Sequence, residues 1–353
     1  MFDANKGVSL VMTNSKFTVV RLNCKTYPPI PEEEEELKKI GAEVVYIEGS
    51  SQEEILSVAR NCDALGVVSS KVREGVINQL EKCRIIARYG IGVDNIDIDA
   101  ATKNGIIVTN VPDFCINEMA EHTMALILGV TRKIVKMDEN TRNCKWSSRV
   151  SEHLRRLRGQ KLGLIGFGSS AKEVALRSIP FGLKIYAYDP YVNEEVIREY
   201  KAEPASFEFI IKNCDIISLH VPLNSNTYHL IGESELKSMK QEAVLINTSR
   251  GAIVDEDALI KALKEGWIRY AGLDVFEKIN VFNESEKKID HPLFHLDNVI
   301  LSPHCAACSD ESLIEQKQKA VKEIVAVLSG KWPKNCVNPS VIPRFPLAKD
   351  ETT

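Results

Sequence analysis

The segment Lys161-Leu-Gly-Leu-Ile-Gly166-Phe-Gly168-Ser169-Ser170-Ala171 sets two glycines and an alanine at G-x-G-x-x-A spacing behind a short apolar run. Gly166 permits a tight turn, Gly168 lets the backbone approach a pyrophosphate, and Ala171 is small enough for close helix–strand packing. A helix that opens here turns its positive end toward the phosphates. Eighteen residues after Ala171, Asp189 closes the next strand-like run. A carboxylate at that place hydrogen-bonds the adenosine ribose hydroxyls. Asp189 would repel a 2′-phosphate, and Pro190-Tyr191 brings no arginine to attract one. The spacing predicts a dinucleotide site, with NAD favoured over NADP.

Strands and helices must aim these groups, and the chain alternates between the two. Strand-like runs in the first third are Phe17–Val20, Glu43–Ile47, Ala64–Val68, Arg84–Arg88 and Ile106–Thr109. A second series follows at Lys161–Gly166, Lys184–Tyr188, Asp215–Leu219, Ala243–Asn247, Tyr270–Val275 and Asn298–Leu301. Polar periodic stretches separate them, which calls for parallel strands joined by crossover helices. The helical stretch Asn117–Ile134 leads from the first series to the second, and Ser309–Leu328 can carry the chain back. Glu32–Glu36 follows Pro31 and precedes Leu37, as in the acid-rich first turn of a helix set against its own dipole.

Length and composition bound the rest. A chain of 353 residues with 44% hydrophobic and 27% charged residues is long enough for two domains and too apolar for disorder. A formal net charge of −4 provides no global field for nucleic acid or anionic lipid. The longest clean apolar run, Met124–Val130, is far short of a bilayer span. The first seventeen residues lack a signal-peptide core, and nine scattered cysteines do not form a secreted framework. A cytoplasmic protein with reduced thiols is expected, with no nucleic-acid or membrane partner.

The sequence resembles the D-isomer-specific 2-hydroxyacid dehydrogenase family, which includes phosphoglycerate dehydrogenases, glyoxylate and hydroxypyruvate reductases, and C-terminal-binding-protein corepressors. The most specific stretch is Met239–Asp255, with Asn247-Thr-Ser-Arg250-Gly251. Arg88–Asp97, Leu219-His-Val-Pro-Leu223, Gly272-Leu-Asp-Val-Phe276 and Ser302-Pro-His304 support it. Asn110–Cys115 and Tyr188–Tyr191 look closest to corepressor-like members. The resemblance implies an α/β protein of two Rossmann-like domains with the active site in the cleft between them. A discontinuous substrate-binding domain (14–112 plus 307–345) would enclose an NAD-binding domain (113–306), and the protein would be a homodimer through its NAD domains.

The resemblance also implies an NAD-dependent oxidoreductase that moves a hydride between nicotinamide and a small D-2-hydroxy or 2-oxo acid. Negative charge grows on the substrate carbonyl oxygen as hydride arrives. Arg250 is permanently charged and can present two parallel N–H donors to such a substrate. His304 can give and take the proton, because imidazole titrates near neutral pH. Tyr89, Gly90, Ile91 and Gly92 carry over as the loop that receives the substrate carboxylate on backbone amides. His220, Val221, Pro222, Thr248 and Asp274 carry over to the cofactor, beside Gly166, Gly168, Ser169, Ser170 and Asp189. His122, His153, His229, His291 and His295 read as surface or core residues, and no HExxH or Cys/His spacing suggests a metal. Lys71 either meets a second substrate anion or is a solvated loop lysine.

Two departures stand out. The family's catalytic glutamate falls five residues after the Asp of L-D-V, and here that position is Ile279. A nearby carboxylate favours imidazolium, so His304 without one should carry a proton less often at neutral pH. Glu277, two residues early, or Glu284 or Glu286 could substitute. Ser169-Ser170 stands where relatives usually carry Arg-Ile, which removes a charge from the pyrophosphate. These departures support an alternative, a low-activity dinucleotide-binding sensor or corepressor-like protein. Cys305-Ala-Ala-Cys308 precedes a helix, a setting that can lower a thiol pKa and favour a disulfide; small residues packed near the cofactor are the plainer reading.

Overall fold

The computed structural model of the chain describes residues 16–146, 154–279 and 289–348. It divides into two compact units, one from the residues up to Phe114 and from Ile314 on, the other from Cys115 to Leu313. Both are parallel sheets flanked by helices. Among the described residues no helix is long and apolar enough to cross a membrane.

The first unit holds β1 (Phe17–Arg21), β2 (Ala42–Tyr46), β3 (Ala64–Val67), β4 (Ile85–Arg88) and β5 (Ile107–Thr109). They hydrogen-bond in the order β2-β1-β3-β4-β5. Val20, Leu65, Ile86 and Val108 form one fully buried row and pack with Ile55, Val76, Ile77 and Ala100 from the crossover helices. Side-chain caps fix where those helices start: Ser51 accepts the Glu54 amide and Asp97 the Ala100 amide. The glutamate run does open the helix Pro31–Lys39, but Glu33 is not a solvated first-turn acid. It is buried 3.4 Å from the buried Arg21 guanidinium, which stacks on the Tyr89 ring at 4.0 Å.

The second unit holds β6 (Lys161–Ile165), β7 (Lys184–Tyr188), β8 (Glu203–Pro204), β9 (Ile216–Leu219), β10 (Val244–Asn247), β11 (Tyr270–Leu273) and β12 (Val299–Leu301). Their order is β12-β11-β10-β9-β6-β7-β8, so the direction of progress reverses between β6 and β9. One face packs Ile217, Leu245 and Ala271 with Ile210, Leu236 and Leu259. The other packs Leu162, Leu164 and Ile246 with Met124, Ile127 and Val174. Gly272 allows the helix Ile116–Arg132 to come close; a Cβ there would lie 3.1 Å from the Leu126 Cβ.

Three boundaries differ from expectation. The first connecting helix ends at Arg132 because Lys133 takes a left-handed backbone (φ 55°), and a separate helix runs over Ile134–Arg142. The strand expected to reach Val275 stops at Leu273, freeing Asp274 for other bonds. The two-residue edge strand Glu203–Pro204 was too short and too proline-bound to show in a pattern.

Candidate active site

At the strand-order reversal, β6 runs into the glycine turn. Gly166 has φ +88°, and a Cβ on it would sit 2.6 Å from the His220 carbonyl oxygen, so no other residue fits. Gly168 caps the helix Ser169–Ser178 without a side-chain hydrogen bond, and a Cβ there would meet nothing within 4 Å. The result is open space beside Gly168 at a helix start that has no side-chain cap among the described residues, with Ser169 and Ser170 in the first turn. Asp189 borders it, its carboxylate accepting the amides of Phe167 (2.8 Å) and Tyr191 (2.9 Å). A carboxylate has about four acceptor positions, so room remains for ribose hydroxyls. These residues fit NAD: an uncapped helix end for the pyrophosphate and a fixed acid for the ribose.

The opposite wall begins after β9. The His220 amide donates to Ile165 O (2.7 Å), and its Nε2 pairs with Ser218 Oγ at 2.9 Å. Burial pulls the His220 pKa down to about 4, so the ring is neutral at physiological pH. Val221 and Pro222 continue this segment, and a Gly166 Cβ would also meet Val221 Cγ1 at 2.9 Å. Thr248 is buried after β10, its hydroxyl 3.1 Å from that of Thr123.

Arg250 follows on the same loop. Asn247 braces it from both sides, donating to Arg250 O (2.9 Å) and accepting from Ser249 N (3.0 Å). A Cβ on Gly251 would lie 1.9 Å from the Phe276 carbonyl carbon, so the Arg250 loop is pressed against the chain just past Asp274. The guanidinium also reaches Ser249 O through Nη1 at 2.8 Å.

His304 sits at φ +56°, a costly backbone for a non-glycine residue. Asp274 holds it there. Its carbonyl accepts the His304 amide at 2.7 Å, and its carboxylate accepts Ser302 Oγ (2.6 Å), Cys305 N (3.0 Å) and Ala306 N (2.9 Å). Asp274, expected at the cofactor, has no exposed surface and spends its carboxylate on the His304 loop. His122, read as a surface or core residue, joins this group: its Nε2 lies 2.8 Å from Ser302 Oγ and 3.5 Å from Asp274 Oδ1. No local signal could have found it, since 180 residues separate the partners.

The carboxylate substitutes for Ile279 divide differently. Ile279 itself is buried. Glu277, expected to serve His304, is engaged elsewhere: Oε1 is 2.7 Å from His229 Nε2 and 3.3 Å from the Tyr228 hydroxyl, and its amide donates to Glu256. Glu284, Glu286 and His153 lie outside the described residues. The lowered thiol pKa considered for Cys305-Ala-Ala-Cys308 is not found. Burial and the Asp274 charge push the Cys305 thiol up, and burial does the same at Cys308.

In the first unit, the Tyr89–Gly92 loop is partly spent on itself. Tyr89 is buried and its amide donates to Val67 O (2.7 Å), while Gly90, at φ +150°, donates to Arg88 O (3.0 Å). Arg88 holds the Gly92 carbonyl and Asn110 the Ile91 carbonyl. Among the described residues the amides of Ile91 and Gly92 have no protein acceptor, so these two, not Tyr89 or Gly90, can receive a carboxylate. Lys71 is exposed.

A parallel sheet whose order reverses beside a glycine turn and an uncapped helix end is a dinucleotide-binding unit. The family described as D-isomer specific 2-hydroxyacid dehydrogenase, NAD binding domain, matches residues 124–306. The chain is 44% identical over 299 residues to a glyoxylate reductase of Thermococcus litoralis, covering 83% of this chain and 88% of that one. It is 40% identical over 320 residues to a D-3-phosphoglycerate dehydrogenase of Methanocaldococcus jannaschii, covering 89% of this chain and 58% of the relative. The structure of D-lactate dehydrogenase from Aquifex aeolicus complexed with NAD and lactic acid superposes with a TM-score of 0.81 at 29% identity, covering 91% of this chain and 99% of that one. The chain belongs to the D-isomer-specific 2-hydroxyacid dehydrogenase family. It is an NAD-binding hydroxyacid oxidoreductase.

Proposed function

We propose that the protein reduces a small 2-oxo acid of the glyoxylate class, with Arg250 orienting the substrate and His304 as the proton donor. One observation carries this reading: the segment Asp274–Glu277 fixes both residues, His304 through Asp274 and the Arg250 loop through the close approach of Gly251 to Phe276. NAD, when bound, supplies or accepts the hydride. Arg250 offers fixed positive charge to the carbonyl oxygen as it gains electrons, which lowers the barrier without reorganisation. His304 gives its proton to that oxygen and recovers one from solvent; in the oxidative direction it takes the hydroxyl proton. Ile91 and Gly92 amides receive the substrate carboxylate. Asp189 favours NADH over NADPH.

A panel of glyoxylate, hydroxypyruvate, pyruvate, phosphohydroxypyruvate and branched-chain 2-oxo acids tests the reading, with NADH oxidation followed from mildly acidic to mildly alkaline pH. Arg250→Ala and His304→Ala should each lower kcat/KM by about a thousandfold, the scale of a lost transition-state donor or acid. With Ile279 in the carboxylate position, the wild-type optimum should sit on the acid side. The sensor alternative rests on that same Ile279: tight NADH binding without turnover on any acid would favour it over the reductase.

The second unit also supports a homodimer. The helix Ile134–Arg142 buries none of its residues, and Ile134, Val135 and Trp146 are exposed. Light scattering after size exclusion should give twice the chain mass, and Val135→Lys should shift it toward the monomer.

A further inference from the structure

The spacing of Cys and His along the chain shows no metal motif, but the fold assembles one. We propose that the His304 loop binds a divalent cation of the zinc class through His122 Nε2, Asp274 Oδ1 and Cys305 Sγ, with solvent in the fourth position. The three ligand atoms all lie within 4.8 Å of one another. Nε2 and Oδ1 are 3.5 Å apart, close to the roughly 3.3 Å that separates two ligands on a tetrahedral zinc with bonds near 2.0–2.1 Å. Sulfur and imidazole donors select zinc or cobalt over magnesium or calcium.

Ligation changes the loop in a defined way. The Cys305 thiol loses its proton to solvent as one sulfur–metal bond forms. The His122 ring must present a bare Nε2, so its proton moves to Nδ1, and the Ser302 hydroxyl gives up its bonds to His122 and Asp274. Ser302 keeps its amide bond to Leu273 O, while His304, between Ser302 and Cys305, is tied to the metal through its neighbour. The cation is therefore an inhibitor of the oxidoreductase. Inhibition rests on the proposed catalytic role of His304; binding does not.

Cobalt(II) added to the full-length, metal-free protein under a non-thiol reductant reads binding without activity. The expected result is one cobalt per chain, a thiolate-to-cobalt absorption band and visible bands of tetrahedral intensity, all displaced by zinc. Cys305→Ser should abolish the thiolate band, and His122→Gln should weaken binding at least tenfold, with both variants still melting cooperatively. No thiolate band in wild type, or the same band and stoichiometry in Cys305→Ser, would overturn the proposal. In the activity arm, zinc should inhibit NADH oxidation reversibly with a chelator, and Cys305→Ser should resist. Absence of turnover in metal-free wild type would count against the reductase reading alone, since the cobalt spectrum does not depend on it.

Discussion

Each unit has a parallel sheet whose strand order reverses once, and the two reversals are furnished in opposite ways. In the second unit the loops after β6 and β9 meet at Gly166, and Gly168 leaves open space before a helix end. In the first unit the loops after β1 and β3 meet at the same architectural position, but Asn23 fills it. Its Oδ1 accepts the successive amides of Val68 (3.1 Å), Ser69 (2.9 Å) and Ser70 (3.2 Å). Its Nδ2 donates to Ser70 Oγ (2.9 Å) and Glu48 O (3.3 Å). Three converging amides would otherwise be an anion-binding nest. The reversal thus creates a crevice in both units, and the side chain placed there decides whether it receives a ligand.

The sharpest break of this comparison comes from the two glycines. Gly166→Ala drives a methyl into the His220 carbonyl on a backbone that disfavours it. NADH affinity should fall at least a hundredfold and the melting temperature should drop. Gly168→Ala has no neighbour to strike and an ordinary φ of −74°, so the melting temperature should hold or rise slightly while NADH affinity falls about tenfold. Fluorescence titration with NADH and a thermal melt of each variant decide it. Equal loss of stability in both would show that the space before Gly168 is not a ligand site.

The mirror experiment in the first unit is Asn23→Ala. It strands three amides and should cost about 1–3 kcal/mol of stability, the usual range for an unmade buried hydrogen bond. The melt should fall by several degrees with NADH affinity unchanged, because the damage lies in the other unit. An altered NADH affinity would mean that the two reversals are not independent.

These two sites also show what was legible beforehand. The glycine turn was, because its residues are contiguous and each acts through its own backbone. Asn23 was not, because its meaning depends on amides 45 to 47 positions away. Glu33 looked like its neighbours in the glutamate run until Arg21 and Tyr89 surrounded it. Arg250 and His304 were found through motif resemblance, but what fixes them, Asp274 and the approach of Gly251 to Phe276, exists only in three dimensions. Glu277 was misread for the same reason: its chemistry suits His304, but His229 is where the fold delivers it. Strand order follows from alternation only as far as parallel pairing, and the contents of each crevice are set by single side chains.

The smallest predicted effect separates the units by pH. His220 lines the open crevice and is held neutral by burial, with its pKa near 4 against 6.5 for a free imidazole. Between those values the unfolded chain binds a proton that the folded chain does not. Stability therefore rises with pH through this window and is lost as pH falls from 6.5 toward 4. At pH 6 the loss is below about 1 kcal/mol, growing on further acidification. His220→Gln keeps a polar group near Ser218 without titrating, so its melting temperature should change less than that of wild type between pH 7 and pH 5. Asn23 does not titrate, so Asn23→Ala should shift the melt without changing that slope. If wild type and His220→Gln lose stability in parallel across the window, the neutral ring of His220 is not what couples this wall of the crevice to pH.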